Sequence, residues 1–152
     1  MKEVSILYTE GKGKFEEGKI TIPDLKPYQI RVKSKMTGVC RSDIEMMHGN
    51  FGPLPLEMQG HEGLGEVIEV GADVKDIDVG DYVATRGEPA YADEYNANDG
   101  TFVKVPRLDP KYIIEPVACG LNVVMQEEDQ FEKRNVRGAR LAIIGSGFLA
   151  WV

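Results

Sequence analysis

Short apolar runs broken by glycine and proline fill the first two thirds of the chain. Apolar residues at alternate positions mark strands, because successive side chains of an extended backbone point to opposite faces. Ile6–Tyr8 reads this way, and Gln29–Thr37 alternates through Ile30, Val32 and Met36. Glu62–Gly71 (EGLGEVIEVG) sets Leu64, Ile68 and Val70 on one face and Val67 on the other. Asp81–Thr85 and Thr101–Val105 add two more short runs. Such spacing predicts a mainly β fold with short helices (α+β), a small barrel or sandwich closed by tight turns.

The pattern changes near residue 109. Asp109 is placed to cap a helical turn opened by Pro110. Pro116 ends that turn and pushes Glu115 out of the helical region. Val117, Leu121, Val124 and Met125 then recur at helical spacing and predict a helix over about 117–127. A charged connector is expected over 127–138. Leu141–Ile144 predicts a short strand, followed by Gly145, Gly147 and Ala150 in a G-x-G-x-x-A turn. In a dinucleotide-binding domain that turn lets the backbone approach a pyrophosphate, although a glycine turn alone is weak evidence. The expected division is residues 1–126 as one domain, then 127–152 as a connector and the first strand and turn of a cofactor domain.

Composition narrows the function classes. With 42% hydrophobic and 28% charged residues the chain is of ordinary globular make-up. A net charge of −7 leaves no surplus of Lys and Arg to neutralise phosphates, so nucleic acid is not an expected partner. The cluster Lys133, Arg134, Arg137 and Arg140 follows the acidic run EEDQFE and reads as a solvated connector. No apolar run approaches the roughly 18 residues of a membrane span, and the first residues lack a secretory signal's apolar stretch. The expectation is a cytoplasmic protein with no membrane partner. Cys40 and Cys119 are the two cysteines, too few for a disulfide scaffold and expected as free thiols.

The densest polar information lies in Gly38–Glu62 (GVCRSDIEMMHGNFGPLPLEMQGHE). Cys40 and His61 stand too far apart for a zinc finger, yet suit a site assembled from separate loops. Zinc takes a mixed thiolate, imidazole and carboxylate set, and a catalytic zinc keeps one position open. A lone cysteine is also commonly a small buried hydrophobe, and a histidine beside glycines commonly a surface residue. Spacing alone leaves both readings open.

GVCRSDIEMMHG, then GHEGLGEVIEVG, then GDYVATR resemble the N-terminal half of the zinc-dependent medium-chain alcohol and polyol dehydrogenases. The likeness continues through AYADEY, FVKVP and IIEPVACGLNVV into GSGFLA. It implies a GroES-like, partly open β-barrel catalytic domain that ends in the first strand and turn of a Rossmann domain. It implies Cys40, His61 and Glu115 as zinc ligands, with Glu62 able to bind or approach the metal. Cys40 and Glu115 would together cancel the charge of Zn2+. Ser42 matches the hydroxyl that bonds the substrate alcohol and passes its proton outward. Asp43 matches a carboxylate that orients the ligand histidine. Ser42 and Asp43 also fit a helix N-cap before IEMMH.

The sequence departs from that family in three places. The relay histidine found five positions after the cysteine in many members is Glu45 here. His48 either substitutes for it or is a surface residue. The four-cysteine loop of a structural zinc is missing, since only GEPA lies between Arg86 and Tyr91, so one catalytic zinc and no structural one is implied. Cys119 reads as helix packing. The resemblance implies NAD or NADP as cofactor, with Gly145 and Gly147 in its turn. A small-molecule alcohol or polyol is the implied substrate, oxidised to a carbonyl by hydride transfer. The sequence given stops shortly after that turn, so this chain alone is expected not to turn over alcohol. Phe148, Leu149 and Trp151 predict self-association as a homo-oligomer. Two alternatives are a zinc-free, quinone-reductase-like protein and a non-catalytic GroES-like module.

Overall fold

A computed structural model describes residues 1–52, 55–87, 89–133 and 142–150, with side chains throughout except at 124 and 127–133. Seven strands and two α-helices follow in order. They are β1 (Lys2–Tyr8), β2 (Glu16–Ile22), β3 (Gln29–Thr37), α1 (Arg41–Met47), β4 (Gly63–Val70), β5 (Tyr82–Thr85), β6 (Glu94–Asn98), β7 (Phe102–Val105) and α2 (Glu115–Lys133). Strands β1 and β2 form an antiparallel pair, and the others an open antiparallel sheet in the order β6-β3-β4-β5-β7. A bridge between Ile6 and Ala92 ties β1 to the segment before β6. The chain divides into two compact units, Met1–Ile113 and Ile114–Val152.

Every strand read from the alternation is present. Strands β2 and β6 are additional. In EEGKITI and EYNAN only two residues per strand, Ile20 with Ile22 and Tyr95 with Ala97, turn inward and are buried. Each alternates correctly but carries too few large apolar residues to stand out. The face assignment on β4 needs correction. Its register with β3 shifts so that Val32 meets Val67 while Ile30 meets Val70. Such a bulge leaves one residue unpaired and reverses the alternation beyond it. Val67 is therefore fully buried while Ile68 is half-buried.

Two apolar clusters hold the first unit. One joins Ile30, Val32, Val67, Val83, Ala90, Tyr95 and Ala97. The other joins Val4, Ile6, Ile20, Ile22 and Ala92, with Tyr91 packed against it. Burying each large aliphatic side chain stabilises the fold by roughly 1.5–3 kcal/mol. The buried Tyr95 hydroxyl bonds the Thr85 hydroxyl at 2.7 Å. Burial pushes the Tyr95 phenol up to about 12, against a partial lowering by that bond. Below about pH 10 both folded and unfolded chains keep this proton, and the stability is fully present. As pH rises from about 10 to about 12 the unfolded chain ionises first, and up to about 3 kcal/mol is lost. Urea melts at pH 9, 10 and 11 are expected to show this decline, and Tyr95→Phe to flatten it. An unchanged slope in the variant would contradict the assignment.

The chain beyond residue 108 departs from expectation in three ways. Asp109 does cap a 3-10 turn at Pro110–Tyr112, accepting the Lys111 N–H at 3.2 Å. But α2 then begins at Glu115, because proline is tolerated in a helix's first turn. It runs on to Lys133 where a connector was expected, since glutamate, glutamine and lysine are good helix formers. The expected strand at 141–144 does not form among the described residues. Residues 142–146 have no regular structure and are exposed. Gly145 has φ +117°, and a 3-10 turn follows at Phe148–Ala150. Leu141, Trp151, Glu88, Arg134, Arg137 and Arg140 lie outside the described residues. Among the described residues no helix is long and apolar enough to cross a membrane.

Candidate metal centre

Strand pairing brings the distant motif residues together. In the β3–β4 register Thr37 stands opposite Gly63. The Gly38 N–H then donates to the Glu62 carbonyl at 2.9 Å, carrying the contact past the strand ends. Cys40 leaves the end of β3 just where His61 and Glu62 enter β4. One donor atom from each of Cys40, His61 and Glu62 lies within 4.8 Å of the other two. Zinc–ligand bonds of about 2.0–2.3 Å set tetrahedral donors roughly 3.3–3.8 Å apart, so small side-chain movements bring all three onto one ion. Glu62 is buried, while Cys40 and His61 are half-buried, as a site reached from one side requires.

Two glycines make this approach possible. Gly60, directly before His61, has φ +77°, and a β-carbon there would sit 2.5 Å from the Tyr91 ring. At Gly38 a β-carbon would collide with the Glu62 carboxylate. Glycine is the residue that admits both the left-handed turn and the close contact.

Helix α1 supplies the support. Cys40 is its N-cap, with extended backbone angles, and Asp43 is the third helical residue. The Cys40 N–H donates to Asp43 Oδ2 at 2.8 Å. Asp43 Oδ1 has no hydrogen-bond partner and lies 4.0 Å from His61 Nδ1. One buried carboxylate thus bridges from the backbone of Cys40 to the ring of His61. The capping position falls on Cys40 rather than on Ser42 or Asp43, because Asp43 reaches back from inside the first turn. Ser42 is half-buried in that turn.

The remaining residues fall elsewhere. His48 is exposed at the C-terminal end of α1, its N–H on the Ile44 carbonyl at 3.1 Å. Glu45 is engaged by Asn50 and by Arg41, and those hydrogen bonds hold its carboxyl below the usual range. Glu115 is the first residue of α2, in the second unit, and is buried. Its Oε1 accepts from the Cys119 thiol at 3.2 Å. Cys119, read as helix packing, is exposed. Gly145 and Gly147 lie in the exposed segment after α2.

Sequence reasoning passed over Tyr91. Its hydroxyl is shut off from solvent beside Asp43. Burial first, then the Asp43 carboxylate, with Glu62 and Cys40 behind it, push its pKa up. The signal available was its place in AYADEY, beside the Ala92 that bridges to β1. Tyr91 also lines a groove of about 750 Å³, together with Glu17, Lys19, Lys35, Met36 and Asp93. None of the three clustered residues lines it.

Comparison with known proteins places the fold in a family. The alcohol dehydrogenase GroES-like domain matches residues 26–116, more than half of the chain. The chain belongs to that family, the catalytic-domain type of the medium-chain alcohol and polyol dehydrogenases. It is 37% identical over 98 residues to an L-arabinitol 4-dehydrogenase of Talaromyces emersonii, covering 57% of this chain and 25% of that protein. A zinc-binding dehydrogenase of Sinorhizobium meliloti, solved with NADP bound, superposes with a TM-score of 0.66 at 23% identity. That likeness covers 83% of this chain and 46% of the other. A quinone oxidoreductase of Coxiella burnetii gives a TM-score of 0.63 at 21% identity, over 84% and 46% of the two chains. The chain thus spans about a quarter of the curated relative and under half of these structures. The open sheets and short α1 are the GroES-like architecture that the motifs implied.

Proposed function

We propose that this chain is the zinc-holding catalytic domain of an alcohol or polyol dehydrogenase that works with NAD or NADP. The convergence of Cys40, His61 and Glu62 carries the reading. A thiolate, an imidazole and a carboxylate form a donor set suited to zinc. The thiolate and the Glu62 carboxylate together offset a divalent charge. With Nδ1 of His61 turned towards Asp43, Nε2 is the nitrogen left for the metal. Glu115 is the further ligand candidate that the motif implies.

Zinc, when bound, supplies Lewis-acid polarisation of the substrate oxygen. The chain's own residues do the rest. Ser42, two residues after Cys40, receives the hydroxyl proton and hands it outward. Asp43 holds His61 in one tautomer and ring orientation, as carboxylate partners of metal-bound histidines do. The exposed position of His48 suits the outer end of such a proton path. The relationship to an L-arabinitol dehydrogenase favours a polyol as substrate.

The likeness to a quinone oxidoreductase keeps a zinc-free reading as the second choice, since the two groups share the fold. A buried carboxylate, a thiol and an imidazole drawn together serve no evident purpose there.

Loading the chain with cobalt(II) in place of zinc tests the substrate part. The visible bands of a thiolate-bound cobalt are expected to change on adding a pentitol such as L-arabinitol. Bands indifferent to every polyol and simple alcohol tried would contradict it.

A further inference from the structure

We propose that Tyr91 is a positioning residue for the metal centre, its hydroxyl fixing the Asp43 carboxylate that orients His61. The proposal rests on the zinc reading above and adds to it a residue from outside the ligand loops.

Tyr91 is held on several sides. Its N–H donates to the Gln59 carbonyl and its carbonyl accepts from the Leu7 N–H, both at 3.2 Å. Its ring meets Phe15 edge-on at 5.9 Å between centroids. The same ring fills the space that a side chain at Gly60 would need. Gly60 precedes His61, so the ring braces the backbone that delivers the ligand, while the Asp43 carboxylate is close enough to the hydroxyl to help hold its proton on.

The polar ends are the second observation. Among the described residues the Tyr91 hydroxyl and Asp43 Oδ1 are two of four buried side-chain polar atoms without a hydrogen-bond partner. Both are buried, and Oδ1 is also the atom 4.0 Å from His61 Nδ1. A buried donor left unpaired beside a buried acceptor is costly, and a slight rotation of either side chain joins them. A carboxylate oxygen has two lone pairs and can take both the Tyr91 O–H and the His61 Nδ1–H. With Oδ2 already on the Cys40 N–H, Asp43 would then link both ligands to a rigid aromatic anchor. A phenylalanine at position 91 would keep the ring contacts and leave the carboxylate free to swing.

Tyr91→Phe in the full chain tests this by two readouts. The first is zinc affinity in competition with a chromophoric chelator, expected to fall about tenfold, within the ~10–100-fold range for loss of such supporting groups. The second is the His61 tautomer in the metal-free chain at pH 8, read by nitrogen-15 NMR. It is expected to shift from Nδ1–H towards Nε2–H in the variant. Urea melts of the two metal-free chains check that the variant folds. A variant that fails to fold is replaced by the wild-type chain carrying 4-fluorophenylalanine at position 91. Unchanged affinity together with an unchanged tautomer overturns the proposal; a shift in either supports it. If the wild-type chain takes up no zinc, the zinc reading fails by itself and the tautomer alone decides the role of Tyr91.

Discussion

Asp43→Ala is expected to lower the stability of the metal-free chain by about 2–4 kcal/mol, and its zinc affinity by ~10–100-fold. The carboxylate is 1% exposed and accepts the Cys40 N–H at 2.8 Å across the first turn of α1. Removing it strips that helix of its cap, leaves a part-buried N–H without its acceptor and opens a hole beside His61. Each unmet buried donor costs about 1–3 kcal/mol. Asp43→Asn separates the two effects. An amide oxygen can still take the Cys40 N–H, so urea melts should place this variant within about 1 kcal/mol of wild type. It has lost the negative charge that His61 requires, so its zinc affinity should still fall. Equal zinc affinity in wild type and Asp43→Asn would show that the carboxylate is only a helix cap.

The part of this site legible in the sequence was the part written in short motifs. Cys40, Ser42 and Asp43 stand together in VCRSD, and His61 with Glu62 in GHEG. The 21-residue gap between Cys40 and His61 gave no hint of proximity by itself. Antiparallel pairing of β3 with β4 closes it, and the alternating apolar residues of both strands were readable. The bulge on β4 was not, because a one-residue shift leaves no mark in composition. Strands β2 and β6 escaped for a related reason, since each buries only two side chains. Tyr91 carried only its place in AYADEY as a signal, which does not mark it as a supporting residue. Nothing local distinguishes a tyrosine whose ring packs on Gly60 from one that merely fills a core.

The second unit shows the limit in the other direction. The charged segment after Gln126 looked like a connector, yet its residues favour helix and α2 continues to Lys133. The glycine turn after it keeps a positive φ at Gly145, while among the described residues the strand before it does not form. Local propensity set the helical outcome. Glu115 joins this second unit at the start of α2, and its metal role therefore rests on the motif and on the donor chemistry rather than on strand register.

Metal content is the measurement on which the account turns. The chain, expressed and purified without chelators, should carry about one zinc by elemental analysis, and Cys40→Ser should carry close to none. The serine hydroxyl is a poor zinc ligand at neutral pH, whereas a thiolate is among the best, so this substitution removes the strongest donor with little change in volume. Glu115→Gln, measured alongside, should weaken but not abolish binding if Glu62 shares the site. A wild-type chain free of zinc after such a preparation, and unable to take it up when zinc is added, would contradict the metal centre and leave the family's fold without its chemistry.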